Sequence, residues 1–308
     1  MKKLERATCR ALLMTVCATA VLGLPNAAHA EPAKYFIAIH CDPQHAEERD
    51  WNALVDLVAA ADGRGQKLTI QLNPVWGSTI ASVPGSLDTI AAWVTTGHEI
   101  SGHHHIWSHS GGWDGYSLEE GADEDPDYLG DMQQWLADLE SILPEGTSIQ
   151  TVSAKDHDFP PGVAFQTGGS NSTPDPNDAA SIPTPKFLAG QLVWNLNHAA
   201  LIAGGTWQID GMMASFIATS PEQIFGAAVH PHDYYIGNRA EVDRWLDFLL
   251  NRDPDAIRSV TAGSVLLEHL DSIEGVPAGS STSLAVQIAT LLAFGGLALR
   301  RTRRTPRN

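Results

Sequence analysis

Short apolar segments alternate with amphipathic segments along this chain, and this alternation limits the fold more than any other feature of the sequence. In residues 47–61, Trp51, Leu54 and Val58 recur at helical spacing, directly after the apolar segment 35–40. Alternating strands and helices favour a parallel sheet covered by helices. The predicted strands are residues 35–40, 68–72, 99–102, 149–152, 193–196 and 224–229, the predicted helices are 47–61, 87–95, 127–143 and 240–250, and residues 160–178 are predicted to form a loop.

Residues capable of acid-base or metal chemistry follow three of the predicted strands. In a parallel α/β fold, the carboxyl ends of the strands carry the functional side chains. Neutral imidazole is the commonest metal ligand, and two imidazoles with one carboxylate leave positions open for water and substrate. We therefore expect a metal site built from these segments, which are His40-Cys41-Asp42, the stretch 97–109 with His103, His104, His105 and His109, and His230-Pro231-His232-Asp233.

The spacing of the clustered histidines leaves more than one ligand pair open. His103 and His105 share one side of an extended segment, whereas His105 and His109 share one side of a helical turn. With Asp42 as the carboxylate, we expect His105 and His109 to be the first choice of ligands and His103 the next, while His104 points away. For any one of these histidines taken singly, a solvated loop or a core position is the alternative.

Both ends of the chain predict export. Residues 1–30 combine basic residues, an apolar run and the sequence Ala28-His29-Ala30, which is the order of a secretory signal peptide. Residues 276–308 combine a Val-Pro start, a Ser/Thr-rich spacer, the apolar stretch 284–299 and five arginines, an order that places the preceding domain outside the cytoplasm. We expect residues 31–275 to form one domain located in the cell envelope, at the cell surface or in the extracellular matrix.

The C-terminal segment resembles the PEP-CTERM type of sorting signal, which implies cleavage by a processing protease near the Val-Pro pair. Pro277-Ala278-Gly279 stands where that signal has Pro-Glu-Pro. A permanent transmembrane helix over residues 284–299 is therefore the alternative.

The composition of residues 31–275 excludes nucleic acid as a partner. Nine of the nineteen Lys and Arg residues and one of the 36 acidic residues lie in the two end segments, which leaves 10 bases against 35 acids, a net charge of −25. Phosphate binding depends on Lys and Arg, so the domain is poorly suited to DNA or RNA. Cys41 is the single cysteine of this domain, which excludes a disulfide within it.

The stretch Gly97-His98-Glu99-Ile100, followed by the clustered histidines, resembles the second motif of the NodB-type polysaccharide deacetylases, carbohydrate esterase family four. The resemblance implies a distorted (β/α) barrel and a divalent metal, zinc with cobalt or nickel as alternatives, bound by an Asp and two His. Asp42 matches the metal-binding Asp at the end of the first strand. Cys41 stands where the family has its catalytic-base Asp; a thiol is a poor base, although a thiolate could bind the metal.

The later motifs of the family are fainter here. The loop 156–162 lacks the family's Arg, and either Asp156 or Asp158 could accept a proton instead of the missing base. His230, before His232, matches the histidine that protonates the leaving group. The implied activity is removal of acetyl groups from an N- or O-acetylated extracellular polysaccharide, and the alternative is a catalytically inactive glycan- or metal-binding surface protein on the same scaffold. Trp194 could line a sugar groove or be a core residue. The segment Trp113-Asp114-Gly115-Tyr116 could line the groove or form a turn.

Overall fold

A computed structural model describes residues 31–109, 112–155, 157–168, 175–235 and 239–274. The predicted signal peptide 1–30, the predicted sorting segment 276–308 and the candidate Asp156 lie outside these residues. Within the described part of the chain, none of the helices has the length and apolar character that crossing a membrane requires.

Seven parallel strands form the main sheet, in the order β12-β1-β2-β3-β4-β5-β8. Two antiparallel strands extend it, β6 beside β12 and β7 beside β8, and β10 pairs separately with β11. The strands are β1 Lys34–His40, β2 Leu68–Leu72, β3 Glu99–His103, β4 Thr151–Ser153, β5 Phe165–Gly168, β6 Ala180–Ser181, β7 Thr184–Leu188, β8 Gln191–Asn197, β9 Ala199–Ala200, β10 Ile202–Ala203, β11 Thr206–Trp207 and β12 Ile224–Val229.

The sheet curls back on itself at His198. Strand β8 pairs with β5, and β9, which follows one residue later, pairs in parallel with β12. The backbones of β8 and β12 lie so close that a Cβ atom on Gly226 would overlap the carbonyl oxygen of Asn197. The predicted fold class, a distorted (β/α) barrel, is confirmed.

The helices cover the sheet and bury one face each. In α1, Trp51, Leu54, Leu57 and Val58 form the buried face that the sequence pattern predicts. The helices are α1 Glu48–Asp62, α2 Pro74–Ser82, α3 Ser86–Thr96, α4 Met132–Glu140, α5 Ile209–Ala218, α6 Pro231–Tyr235, α7 Arg239–Arg252 and α8 Ala262–Glu274.

Helix α8 packs against the amino-terminal ends of the strands. The backbone N–H of Gly263 donates to Glu99 at 2.9 Å, and that of Ala262 donates to Thr69 Oγ1 at 2.9 Å. Val265, Leu266 and Leu270 join a buried cluster with residues of β1 and β12. The opposite end of the barrel, where the strands end, is left for the loops that carry the clustered histidines.

The structure differs from the sequence-based elements in a predicted loop, in a predicted helix and in several elements that were not predicted. The predicted loop 160–178 was wrong in part, because Phe165–Gly168 forms β5 within it and buries Phe165. The helix predicted over 127–143 is shorter, since Asp131 caps it by accepting the backbone N–H groups of Gln133 and Gln134. The elements that were not predicted are helices α2, α5, α6 and α8 and strands β6, β7, β9, β10 and β11.

Gly102 in β3 provides a test of how tightly the barrel packs against α4. A Cβ atom at this position would overlap the ring of Trp135, which is fully buried. We expect Gly102→Ala to lower the free energy of unfolding by about 1–3 kcal/mol, the usual cost of overpacking. Gly63→Ala, at a helix end with ordinary contacts, is the matched control and should change it little. Equal stability of the two variants in urea titrations would contradict this packing.

Candidate metal centre

The backbone of Asp42 is held in place by two side chains from the next βα connection. Asn73 caps α2 by accepting the N–H of Trp76, and its amide donates to the carbonyl of Cys41 at 2.6 Å. The indole of Trp76 donates to the carbonyl of Asp42 at 2.8 Å. The backbone that carries the Asp42 side chain is therefore fixed at the carboxyl end of β1.

Three side-chain atoms converge at this end of the barrel. Asp42 Oδ1 lies 3.3 Å from His103 Nε2 and 3.3 Å from His105 Nε2, and the two Nε2 atoms are 2.9 Å apart. His103 ends β3 and His105 follows two residues later in an extended segment, so both side chains point to the same side. The structure thus brings Asp42, His103 and His105 into one group of potential metal ligands.

The ionisation of this group suits a metal ligand set. Burial lowers the pKa of His103 to about 4 against the opposing effect of Asp42, so its imidazole is neutral at neutral pH. Burial alone would raise the pKa of Asp42, but contacts with His103 and His105 and the charge of His230 hold it well below its usual range. A carboxylate and neutral imidazoles are the forms that bind divalent metals.

The distances also fit a small cation. Two ligands of a tetrahedral zinc, each about 2.1 Å from the ion, lie about 3.4 Å apart. The Nδ1 of His105 is within 2.9 Å of the Gly112 carbonyl, and donation there leaves the lone pair of Nε2 facing the group. The Nδ1 of His103 is buried and has no hydrogen-bond partner among the described residues. His105 therefore has the outer hydrogen bond typical of a metal ligand, and His103 does not.

His109 lies beside this group but is not one of its members. The chain turns after His105, with the N–H of His109 donating to Ile106, and the His109 ring rests 4.1 Å from the ring of His105. The expected first choice of His105 with His109 is therefore not the grouping that the structure shows, because the chain stays extended as far as His105. The expectation that His104 points away agrees with the structure.

His230 lies next to Asp42, and both residues line a cavity of about 270 Å³. Its Nε2 is 3.8 Å from Asp42 Oδ2, and its Nδ1 is 2.8 Å from Asp233 Oδ2. Burial lowers the pKa of His230, but Asp233 and Asp42 outweigh that effect and raise it. His230 is thereby suited to carry a proton. The cavity is lined by Asp42, His45, Ile202, Gly204, Gly205, His230, His232 and Asp233.

Cys41 does not reach this cavity as a reactive thiolate. Its side chain is buried, and its nearest acceptor is the Ile39 carbonyl, 3.9 Å from Sγ. Burial, followed by the charges of Asp42 and Asp50, raises the pKa of the thiol well above its usual value. The structure places Cys41 as a protonated core residue, contrary to a role as a base or a thiolate ligand.

Asp158 belongs to a second polar group on the other side of the β3 segment. Its carboxylate accepts the Ser117 hydroxyl at 2.7 Å and the Leu118 N–H at 2.6 Å. It also lies 3.4 Å from Nε2 of His104, whose Nδ1 contacts Asp114 at 3.0 Å. Asp158 is fully buried in this group, so the structure places the proposed proton acceptor away from Asp42.

Two further histidines lie next to the site: His40, from one of the expected segments, and His198, which the sequence analysis did not assign to it. The His40 ring stacks on that of His103 at 4.4 Å, and the His198 ring contacts that of His40 at 4.8 Å. Burial lowers the pKa of His198 to about 3. His198 directly follows β8, so the strand-end rule that indicated the other histidines would also have indicated this one.

The aromatic residues that were candidates for a sugar groove take different positions. The ring of Trp113 lies 6.1 Å from that of Trp107 and 6.4 Å from that of Tyr128, on the loop that follows His105. Asp114 is buried with His104. Trp194 packs against His269 at the edge of the cluster that includes α8.

Comparisons with protein families and with curated proteins find no match for this chain. Among solved structures, the "Crystal structure of putative polysaccharide deacetylase from Mycobacterium smegmatis" is similar to it, with a TM-score of 0.47 and 12% sequence identity. The similarity covers 82% of this chain and 97% of that chain. Such a likeness is too distant to indicate an activity.

Metal stoichiometry tests the group formed by Asp42, His103 and His105. By plasma mass spectrometry, we expect about one zinc per chain after dialysis, as in a single tetrahedral site. We expect His105→Ala to lose that zinc, because the two remaining ligands would hold it weakly. His157→Ala, which changes an exposed histidine in the separate group of Glu119, His157 and Asp158, is the control. Retention of zinc in His105→Ala, or its loss in His157→Ala, would contradict the assignment.

The buried His104 predicts a pH dependence of stability. Burial lowers its pKa, but Asp114 and Asp158 outweigh that effect and raise it to about 9, from an ordinary value of 6.5. The resulting stabilisation is complete below pH 6.5 and is lost as the pH rises through 9. In metal-free protein, the difference in unfolding free energy between wild type and His104→Gln should shrink by about 3 kcal/mol between pH 6.5 and 9.5. A difference that stays constant in urea titrations over this range would exclude a charged His104.

Proposed function

We propose that this protein is a metal-dependent hydrolase that removes acetyl groups from an N- or O-acetylated polysaccharide. The observation that carries the proposal is the convergence of Asp42, His103 and His105, with Asp42 also lining a cavity that contains His230. Such a combination of a metal ligand set and a proton-carrying histidine suits the hydrolysis of an amide or ester.

Asp42, His103 and His105 would hold the metal, for which zinc is our first assignment and cobalt or nickel the alternatives. When bound, a divalent metal lowers the pKa of coordinated water and polarises a carbonyl group. The neutral state of His103 and the ionised state of Asp42 keep these residues ready to bind a cation.

His230 is suited to protonate the departing nitrogen or oxygen of the substrate. Its Nδ1 is held by Asp233 at 2.8 Å, so the ring is fixed with Nε2 directed toward Asp42 and the cavity. The raised pKa keeps a larger share of the imidazole protonated at neutral pH. Asp233 thus both orients the ring and favours its charged form.

Two features support a glycan as the substrate. The cavity, about 270 Å³, is small enough to suit a single acetyl group and part of one sugar ring. The aromatic rings of Trp107, Trp113 and Tyr128 lie on the loop after His105, and Trp107 is 38% exposed. Aromatic side chains that expose a ring face suit contact with the apolar faces of sugars.

We further propose that the protein acts outside the cytoplasm on an extracellular polysaccharide, and that a processing protease cleaves its C-terminal segment. The order of residues 1–30 and 276–308 and the net charge of −25 for residues 31–275, from 35 acids and 10 bases, motivate this proposal. Detection of the protein in the cytoplasmic fraction alone, with its mass unchanged, would contradict it.

Release of acetate tests the activity. We expect the zinc-loaded protein to release acetate from penta-N-acetylchitopentaose or from acetylated xylan, and Asp42→Asn to lower kcat by about 100-fold or more, since metal catalysis supplies several kcal/mol. His157→Ala should match wild type. No acetate from either substrate, in protein shown to contain the metal, would remove the deacetylase proposal.

A glycan-binding protein without turnover is the second candidate, and the buried, protonated Cys41 favours it because this residue cannot act as a base. It predicts binding of the same oligosaccharides by calorimetry with no acetate released. Binding that Asp42→Asn leaves unchanged, together with no turnover in wild type, would favour this candidate over the enzyme.

A further inference from the structure

The cavity beside Asp42 contains a second histidine held by a buried carboxylate. His232 Nδ1 lies 3.3 Å from Asp50 Oδ1, and Asp50 is fully buried. The other carboxylate oxygen of Asp50 accepts two hydrogen bonds from Arg49, at 3.0 and 3.2 Å. With Oδ2 of Asp50 occupied by Arg49, Oδ1 is the oxygen that accepts a hydrogen bond from Nδ1 of His232.

This arrangement leaves Nε2 of His232 unprotonated in the neutral ring. A neutral imidazole carries one N–H, and donation from Nδ1 to Asp50 makes Nε2 the acceptor. Both His232 and His230 line the cavity. The cavity therefore contains two histidines oriented by carboxylates, one by Asp233 and one by Asp50.

A hydrolase of the proposed kind needs a proton acceptor for the attacking water, and Cys41 and Asp158, the two expected acceptors that the structure describes, do not supply one. Cys41 is fully buried with Sγ beside the Ile39 carbonyl, and Asp158 is bound by Ser117, Leu118 and His104. Among the described titratable residues that line the cavity, Asp233 is bound to His230, which leaves His45 and His232.

The geometry of His45 and His232 fits proton transfer better than a second metal site. Together with Asp50 these residues are close enough to be candidate ligands. However, their rings are stacked at 3.7 Å with planes only 9° apart. A metal lies near the plane of each imidazole that binds it, and no point lies in both of two parallel planes. The stack instead packs the His232 ring against the His45 ring. Burial and the charge of His232 lower the pKa of His45.

We propose that His232, positioned by Asp50, is the general base of this site. This assignment rests on the proposed hydrolytic function and names a residue that performs it. The water oxygen forms a bond to the acetyl carbon while one of its protons passes to Nε2 of His232. The bond from that carbon to nitrogen then breaks, and the electron pair left on nitrogen takes the proton from Nε2 of His230. The products are acetate and the free amine, and the proton held by His232 returns to solvent or to His230.

Two substrates separate the base from the acid. 4-Nitrophenyl acetate has a leaving group that departs without protonation, whereas the amides of penta-N-acetylchitopentaose need it. We expect His232→Ala to lower kcat by about 100-fold on both substrates. We expect His230→Ala to lower kcat by about 100-fold on the oligosaccharide and to leave kcat on 4-nitrophenyl acetate unchanged. Added imidazole should restore part of the activity of His232→Ala, which a merely structural role would not allow, and His157→Ala is the control.

The tautomer of His232 gives a readout that is independent of turnover. Long-range ¹H–¹⁵N NMR of the wild-type protein, with the His232 signal assigned from its loss in His232→Gln, should show Nδ1 protonated and Nε2 unprotonated. In Asp50→Asn, where an amide N–H can donate to Nδ1, the tautomer should switch and kcat should fall while KM changes little.

Three other results would contradict the assignment of His232 as the general base. Full activity of a folded His232→Ala on 4-nitrophenyl acetate would overturn the role of His232 and leave the hydrolase proposal standing. Protonated Nε2 in neutral wild-type His232, or a second zinc per chain that His232→Ala removes, would overturn it as well. No hydrolysis of either substrate by the zinc-loaded wild type would remove both the hydrolase function and its base.

Discussion

Three atoms with lone pairs meet at the carboxyl ends of the first and third strands, and the rest of the site is arranged around that contact. Two imidazole nitrogens at 2.9 Å, each 3.3 Å from a carboxylate oxygen, repel one another unless a proton or a cation lies between them. The low pKa of His103 and the hydrogen bond from His105 to Gly112 limit the protons available there. A divalent cation bound between these three atoms would remove this repulsion.

In residues 103–105, at the end of β3, successive side chains point to opposite sides and contact two different groups. His103 and His105 face Asp42, and His104, between them, faces Asp114 and Asp158 on the other side. That outer group fixes the loop that begins at Gly112, whose carbonyl in turn orients His105. The group of His104, Asp114 and Asp158 thus helps to position His105 without contacting Asp42.

The resemblance to the deacetylases predicted the barrel, and the sequence indicated the segments that form the candidate site. Asp42, His103 and His230 follow strands, and the strand-end rule indicated them without any structure. The choice between His103 and His109 could not be made, because it depends on where the extended segment ends. The burial of Asp158 could not be predicted either, since its partners Ser117 and Leu118 are about 40 positions away in the chain.

X-ray absorption at the zinc edge of the reconstituted protein tests the central claim most directly, since it identifies the ligand atoms themselves. The account predicts about two imidazole nitrogens near 2.0–2.1 Å and oxygen ligands, with no sulfur, because Cys41 stays protonated in the core. A zinc–sulfur distance near 2.3 Å, or a shell of oxygen alone, would contradict a centre formed by Asp42, His103 and His105.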